Sequence, residues 1–309
     1  MQKITCRVPP APKSIQRLDQ FIAATDEASK IKLSRSTIRK LIVAGAVYIN
    51  GKRVRIVSRP LRGGEIVDLY WDSAKQTTKA DANQFLPLRV LYDDEAVICF
   101  EKPAGLPTQP TLDDARANLY QLAKTQVAES GKKYLGLHHR LDRDTSGVVL
   151  FTLDKKFNAY VSSLFKEHKF SKLYVALVHG KLKNTKGRLE SYLAPVTKQG
   201  KKAKFGSVKS GGKKAITDYH VLASNENYSL VEVSIQTGRT HQIRVHFSEM
   251  GHPILGDTLY GSPVKYYEKC RRHMLHAHAL TFEHPVTHGI VRVESPVPTE
   301  FRKWVSSTQ

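Results

Sequence analysis

A nine-residue run, His139-Arg140-Leu141-Asp142-Arg143-Asp144-Thr145-Ser146-Gly147, concentrates the groups in this chain best suited to chemistry. It follows Leu135-Gly136-Leu137-His138 and leads into Val148-Val149-Leu150-Phe151-Thr152, whose apolar character predicts a buried strand. The polar run therefore forms a tight loop beside a rigid β element. A carboxylate at Asp142, with Arg140 before it and Arg143 after it, stays ionised at neutral pH and is held in one orientation. Such a group serves as a nucleophile or as a base. Asp144 reads as a hydrogen-bonding residue of the loop, and Thr145 and Ser146 as residues that hold it. Gly147 provides close packing or a special backbone angle.

A second constellation is Thr237-Gly238-Arg239-Thr240-His241-Gln242-Ile243-Arg244-Val245-His246. It follows an alternating strand over 230–236 and enters a helix predicted to end near Gly251. Ile243, Phe247 and Met250 are spaced to face a core, and Arg244 adjoins that face. An enclosed arginine wants a carboxylate, and Asp142 is the natural candidate, although spacing alone leaves open whether they meet. A metal centre is the competing reading, since Asp142 and Asp144 lie near His138 and His139, and His241, His246, His252, His276 and His278 add possible ligands. These histidines lack a ligand spacing such as His-Glu-x-x-His, so no metal is expected and they read as structural or phosphate-contacting residues.

The elements that must position these groups divide near residue 80. In the N-terminal part, Arg17-Leu18-Asp19-Gln20-Phe21-Ile22 predicts a short helix. Ser34 is an N-cap for a second helix in which Ile38, Leu41 and Ile42 share one face and Arg35, Arg39 and Lys40 lie around the other. A strand over 46–49, an Asn50-Gly51 turn, a return strand from Lys52 and a last strand over 65–70 complete the module. Its basic helix and hairpin present one positive surface. Residues 73–83 lack apolar periodicity and read as a linker. Beyond it, 88–92, 96–100 and 173–178 are strand-like, 115–129 is helix-compatible, and Asp154 caps a helix whose Phe157, Val161, Leu164 and Phe165 form a core stripe. Strands outnumber helices without strict alternation, which predicts α+β with a mainly antiparallel sheet.

Composition narrows the partner. The 309-residue chain carries 49 Lys and Arg against 28 Asp and Glu, a formal charge of +21, which favours a polyanion: RNA, DNA or an anionic membrane surface. Between Ser191 and Thr217 there is no acidic residue, while Lys198, Lys201, Lys202, Lys204, Lys209, Lys213 and Lys214 sit among glycines. That stretch reads as a mobile basic arm for a phosphate backbone, or as a solvated loop. No apolar run is long enough to span a bilayer, the first ten residues lack a signal-peptide core, and Cys6, Cys99 and Cys270 have no close spacing. A reducing, cytoplasmic setting is expected.

Two resemblances sharpen these readings. Ser34-Arg35-Ser36 followed by Gly45-Ala46-Val47-Tyr48-Ile49-Asn50-Gly51-Lys52 resembles the small RNA-binding domain named after ribosomal small-subunit protein four. The segments 137–147, Lys172-Leu173-Tyr174-Val175-Ala176-Leu177-Val178-His179-Gly180, 237–246, Gly256-Asp257-Thr258-Leu259-Tyr260-Gly261 and Leu275-His276-Ala277 resemble the RluA-type family of pseudouridine synthases, in that family's order from about Leu88 to Phe301. The organisation implied is a small RNA-binding domain over 14–72, a linker over 73–86, and a catalytic domain over 87–309 with a large, mainly antiparallel mixed sheet flanked by helices.

The resemblance further implies cofactor-free isomerisation of uridine within RNA. The family's catalytic aspartate falls on Asp142, acting on the sugar as nucleophile or as base at carbon 2. Its active-site tyrosine falls on Tyr174, its aspartate-pairing arginine on Arg244, and Ile243 packs beside the tyrosine. The target must leave its helix, and Arg140 is expected either to fill the gap in the stack or to bind a phosphate. RNA contacts are expected from Arg35, Arg39, Lys40, Lys52, Lys201, Lys202, Lys204, Arg239 and His241. The added small domain favours large-subunit (23S) ribosomal RNA or a ribosome precursor, with transfer RNA, or a silent ribosome-assembly factor, as alternatives. A monomer is expected. One departure is that Pro107-Thr108-Gln109-Pro110 stands where many relatives have a valine-histidine-proline stretch.

Overall fold

The structure is a computed structural model that describes residues 2–10, 17–30, 33–71, 85, 87–110, 117–167, 169–197, 204–261, 270 and 272–306. The chain forms two compact units, Met1–Gln84 with Pro110–Ala117, and Phe85–Gln109 with Asn118–Gln309. Apart from Phe85, the predicted linker over 73–86 lies outside the described residues.

In the small unit, β1 (Gln2–Arg7), β2 (Val47–Ile49), β3 (Lys52–Val54) and β4 (Ile66–Trp71) form an antiparallel sheet in the order β1-β4-β2-β3. Sequence reasoning missed β1, which lies before residue 14 and pairs along the length of β4. The Asn50-Gly51 turn forms as expected, with φ of 49° and 75°, the pair of positive values that a two-residue hairpin matching strand twist requires. Helices α1 (Leu18–Ala23), α2 (Asp26–Lys30) and α3 (Arg35–Ala44) cover the sheet, and Ser34 caps α3 by accepting the Thr37 amide at 3.1 Å. Leu18, Ile22, Ile38, Ile42, Val47 and Leu69 make the core.

In the large unit the strands are β5 (Val90–Asp93), β6 (Val97–Lys102), β7 (Gly136–Leu137), β8 (Ser146–Thr152), β9 (Ser171–His179), β10 (Lys186–Thr197), β11 (Lys204–Ser207), β12 (Lys213–Ser224), β13 (Tyr228–Ile235), β14 (Leu275–Glu283) and β15 (Ile290–Glu294). They build one sheet in the order β11-β10-β12-β13-β9-β14-β8-β6-β5, with β15 beside β14 and β7 beside β8. Every pairing is antiparallel except that of β14 with β8. Helices α4 (Leu119–Glu129), α5 (Asn158–Lys166), α6 (Gln242–Glu249) and α7 (Thr299–Ser306) flank it. The α+β reading of the sequence holds. Among the described residues no helix is long and apolar enough to cross a membrane.

Two local expectations change. The basic stretch after Ser191 is not a plain loop: β10, β11 and β12 pair there, and only 198–203 lie outside the described residues. Its lysines hide a buried set, because Leu193 and Ala215 pack against Val245 and Tyr260. Asp154 caps a short 3₁₀ turn, Lys155–Phe157, by accepting the Lys156 amide at 2.9 Å, and α5 follows it.

The middle of the sheet sets the geometry that matters. Gly147 on β8 pairs with Ala277 on β14, Ala277 with Tyr174 on β9, and Tyr174 with Val233 on β13. Gly147 sits at φ 119°, and a Cβ there would lie 2.1 Å from the Ala277 carbonyl oxygen, so only glycine lets these parallel strands approach.

Candidate active site

Asp142 lies on the loop that feeds β8, and that loop is braced from several sides. The Thr145 amide donates to the Asp142 carbonyl at 3.1 Å, closing a tight turn. Thr108 Oγ1 accepts from the Leu141 amide at 3.1 Å and donates to the Leu141 carbonyl at 2.7 Å, fixing the residue before the aspartate. The side chains of Thr145 and Ser146 reach His273 Nε2 at 2.7 Å and His276 Nδ1 at 2.9 Å. Burial pushes His273 and His276 down to about 4, so both stay neutral near pH 7.

Beneath the loop lies Lys102, a fully buried lysine. Its Nζ donates to the carbonyls of Pro103, Leu106 and Arg143 at 2.8, 2.7 and 2.8 Å. Burial pushes this amine down to about 7. Three carbonyl acceptors, however, use every proton of an ammonium and one more than a neutral amine has, so the geometry is that of the charged form. The 102–108 segment thus acts as a clamp under the aspartate. Thr108 is part of it.

Asp142 meets Arg244 of α6: Arg244 Nη1 donates to Asp142 Oδ2 at 2.9 Å. The same guanidinium binds Asp257 twice, Nε to Oδ2 at 2.7 Å and Nη2 to Oδ1 at 2.9 Å. Asp257 is 1% exposed, and its Oδ1 also accepts the amides of Leu259 and Tyr260 at 3.1 and 3.2 Å. Burial works against the Arg244 charge, but the two carboxylates raise its pKa and keep it protonated. Burial pushes the Asp142 carboxyl up, yet the charges of His241 and Arg244 and the Arg244 hydrogen bond together hold it below its ordinary value. Burial keeps His241 itself below its ordinary value, so at neutral pH Arg244 supplies the countercharge.

One oxygen of Asp142 is therefore committed and one is not. Oδ1 accepts no hydrogen bond among the described residues, and Asp142 lines a cavity of about 340 Å³. Tyr174, Ile243, Leu275 and Phe165 form its apolar walls, and Arg140, Arg239, His241 and Lys172 its polar ones. Tyr174 is almost fully buried, and its hydroxyl makes no hydrogen bond among the described residues. Burial and the nearby Asp142 charge push its phenol up, which keeps it a neutral O–H at physiological pH. Lys172 sits two positions before it on the same strand face, with Nζ 4.7 Å from the Phe165 ring centre, and burial pushes it down to about 8.

The structure thus gathers Asp142, Tyr174, Arg244, Ile243, Arg140, Arg239 and His241 around one cavity. The other predicted RNA-contacting residues lie elsewhere. Lys204 is exposed on β11, Lys52 is exposed at the hairpin of the small unit, and Lys201, Lys202 and the side chain of Lys40 lie outside the described residues. Arg35 and Arg39 are not simply a free positive face. With Arg17 they surround the fully buried Asp19 carboxylate at 3.5, 2.9 and 3.0 Å, because a carboxylate out of water requires countercharge. Phe165, read as core, packs against the core with Val161, Leu164 and Phe170 and also lines the cavity, its ring stacked on Phe170 with centres 3.7 Å apart. Asp257, Tyr260 and Lys172 were missed as site residues. All three stood inside quoted motifs, but nothing local shows where their side chains go. Among the described residues no group of His, Cys, Asp and Glu side chains is arranged to hold a metal ion.

Comparison with known proteins gives concordant matches. Residues 96–249 match the RNA pseudouridylate synthase family, and 16–67 match the S4 domain. An RNA pseudouridine synthase of Aquifex aeolicus is 34% identical, over 93% of this chain and 92% of that protein. A ribosomal large subunit pseudouridine synthase D of Zymomonas mobilis is 30% identical over 93% of this chain and 92% of its own length, and the protein so named in Borreliella burgdorferi is 32% identical over 79% and 76%. The solved structure of human RNA pseudouridylate synthase domain containing 1 superposes with a TM-score of 0.57 and 27% identity, over 68% of this chain and 83% of that one.

Proposed function

We propose, from the premise that this chain belongs to the RluA-type family of RNA pseudouridine synthases and carries an RNA-binding S4 domain, that it converts specific uridines of large-subunit (23S) ribosomal RNA and that Asp142 acts on their ribose. The observation that carries the site assignment is the unshared Oδ1 of Asp142, a residue that lines the cavity while Arg244 holds its Oδ2 at 2.9 Å. A carboxylate fixed at one oxygen and free at the other, with its pKa held low, is suited to attack carbon 1′ or to take the proton from carbon 2′. Either role leads to the same balance. The bond from uracil N1 to C1′ breaks, the ring turns while bound, C5 joins C1′, and C5 gives up a proton while N1 gains one. No electrons are gained or lost and no cofactor enters.

Tyr174 and Ile243 supply the surface on which the freed ring is held, and the neutral Tyr174 hydroxyl stands near the carbon that loses its proton. A paired uridine reaches this cavity only after flipping out of its helix, at a cost of a few kcal/mol. Arg140, exposed at the cavity rim, fills the vacated place in the stack. The small domain, 14–72 with β1 added, docks RNA, the domain over 87–309 performs the chemistry, and Lys204 and its neighbours on the β10–β12 extension track the phosphate backbone. The enzyme works as a cytoplasmic monomer. The ribosomal target rests on the S4 domain and on the relatives named for the large ribosomal subunit.

The test is Asp142→Asn, assayed for RNA binding and for pseudouridine formation, beside a map of pseudouridines in total RNA from cells lacking the protein. The expected result is retained binding, lost modification, and missing sites in large-subunit ribosomal RNA. Modification that survives in the variant refutes the role of Asp142, and sites missing only from transfer RNA refute the target.

A further inference from the structure

Tyr260 stands between the basic β extension and the cavity. The main-chain N–H of Phe205, on β11, donates to the Tyr260 hydroxyl oxygen at 3.0 Å. The same hydroxyl lies 2.8 Å from His241 Nδ1. Burial pushes the phenol up to about 12, so it carries its proton. The amide can only donate. If His241 also donated, through Nδ1–H, the phenol proton would have no acceptor among the described residues, although Tyr260 is only 4% exposed. With Nδ1 bare, all of these groups pair: amide to phenol oxygen, phenol proton to Nδ1. The single proton of the neutral ring then sits on Nε2.

That Nε2 makes no hydrogen bond among the described residues; it lies 3.8 Å from Asp142 Oδ2, too far to be a bond, and both residues line the cavity. The charged groups that face the ring are Asp142, Arg244, Asp257 and Arg140, and burial keeps it neutral at pH 7. The backbone adds an independent sign. His241 holds φ 58° and ψ 19°, the left-handed region that side-chain-bearing residues seldom adopt, and such strain collects at functional sites. The Tyr260 and Phe205 rings pack edge-on at 5.5 and 5.8 Å and keep the imidazole in place.

We propose that Tyr260 and the Phe205 amide lock His241 as its Nε2–H tautomer, and that this N–H donates to an oxygen of the target nucleoside beside Asp142. The proposal rests on the functional reading above and deepens it. His241 becomes the neutral donor that registers the nucleoside against the free carboxylate oxygen, and the basic extension contributes to the placing of that donor through the amide and the ring of Phe205.

The tautomer is measured first, in the full-length protein without RNA, from long-range ¹H–¹⁵N spectra of histidine-labelled material. The Nε2–H form is expected at His241, and a ring protonated at Nδ1 overturns the lock. His241→Gln and His241→Asn are then compared in turnover and in RNA affinity. The glutamine amide reaches the Nε2 position and the asparagine amide only the Nδ1 position. His241→Gln is expected to stay within about threefold of wild type in kcat/KM, and His241→Asn to fall about tenfold, the loss of one neutral hydrogen bond. Equal losses in the two variants overturn the donor role. An RNA carrying 2′-deoxyuridine at the target separates the two acceptors: the penalty of His241→Asn vanishes on it if the oxygen is the ribose 2′-oxygen, and persists if it is a uracil carbonyl. Should wild type form no pseudouridine in any RNA, the functional reading fails, while the tautomer result stands by itself.

Discussion

Replacing Arg244 by methionine, which keeps an unbranched apolar stem and removes the guanidinium and its charge, separates what the ion cluster does for the fold from what it does for the reaction. The guanidinium lies 2.9 Å from Asp142 and 2.7 Å from Asp257. At such separations, with an effective dielectric of about 20, each pair gains roughly 6 kcal/mol of Coulomb attraction. Most of that is offset by taking the three groups out of water. The net loss on removing the cation is therefore about 3–5 kcal/mol, and it comes chiefly from Asp257, which is 1% exposed and would keep only the amides of Leu259 and Tyr260, with no guanidinium to balance its charge. Asp142, at 20% side-chain exposure, keeps some access to solvent. The double variant Arg244→Met/Asp257→Asn removes the stranded charge and is expected to regain about 2 kcal/mol of the loss. Activity should not return with it, since the free carboxylate has lost its anchor, and turnover should stay down by about 100-fold or more. Urea unfolding at pH 7 measures the first quantity, and pseudouridine formation on a fixed RNA substrate the second. The reasoning is refuted if the double variant is less stable than the single one, or if activity recovers together with stability.

Four further outcomes follow from the same geometry. Tyr174→Phe should lose less turnover than Tyr174→Leu, with RNA affinity unchanged in both, because the ring is the holding surface and the phenol stays protonated; a larger loss in the phenylalanine variant makes the hydroxyl the essential part. Gly147→Ala should be destabilised by more than about 3 kcal/mol or fail to accumulate as folded protein, since its Cβ would meet the Ala277 carbonyl at 2.1 Å and φ is 119°; an ordinary melting curve would show that β14 can move away. Arg140→Ala should reduce turnover on structured RNA far more than on an unpaired target, and equal losses on both count against the stacking role. Asp142 and Asp257 both have pKa values below the ordinary carboxylate value, so their contribution to stability is complete above about pH 4 and is lost as pH falls through their folded values. Acid titration of unfolding free energy should therefore fall less steeply in the Arg244→Met/Asp257→Asn variant, and an unchanged slope would assign acid sensitivity to other carboxylates.

Features that depend on a few neighbouring residues could be read directly from the amino-acid order. Ser34 caps α3, Asn50-Gly51 turns the hairpin, Asp142 sits on a short loop before a buried strand, and Gly147 stands where only glycine fits. Each is a matter of backbone angles and polar groups within a few positions of each other. The basic extension misled for the opposite reason: its lysines dominate the composition, while the residues that order it, Leu193 and Ala215, are few and pack on the distant Val245 and Tyr260. The ion pairs of Arg35 and Arg39 could not be read in the same way, because their carboxylate, Asp19, lies on another helix.

What the linear order determined by itself was the family and the α+β class, and it singled out Asp142 as the candidate carboxylate, since these reside in local motifs and in the alternation of apolar residues. Only the tertiary structure decided how that carboxylate is held. Asp142 and Arg244 are 102 positions apart, Lys102 and Arg143 are 41, and the tautomer of His241 depends on a tyrosine 19 residues on and an amide from another strand. Such pairings are fixed by sheet register and by the need of each buried polar group for a partner, and no window of sequence contains either.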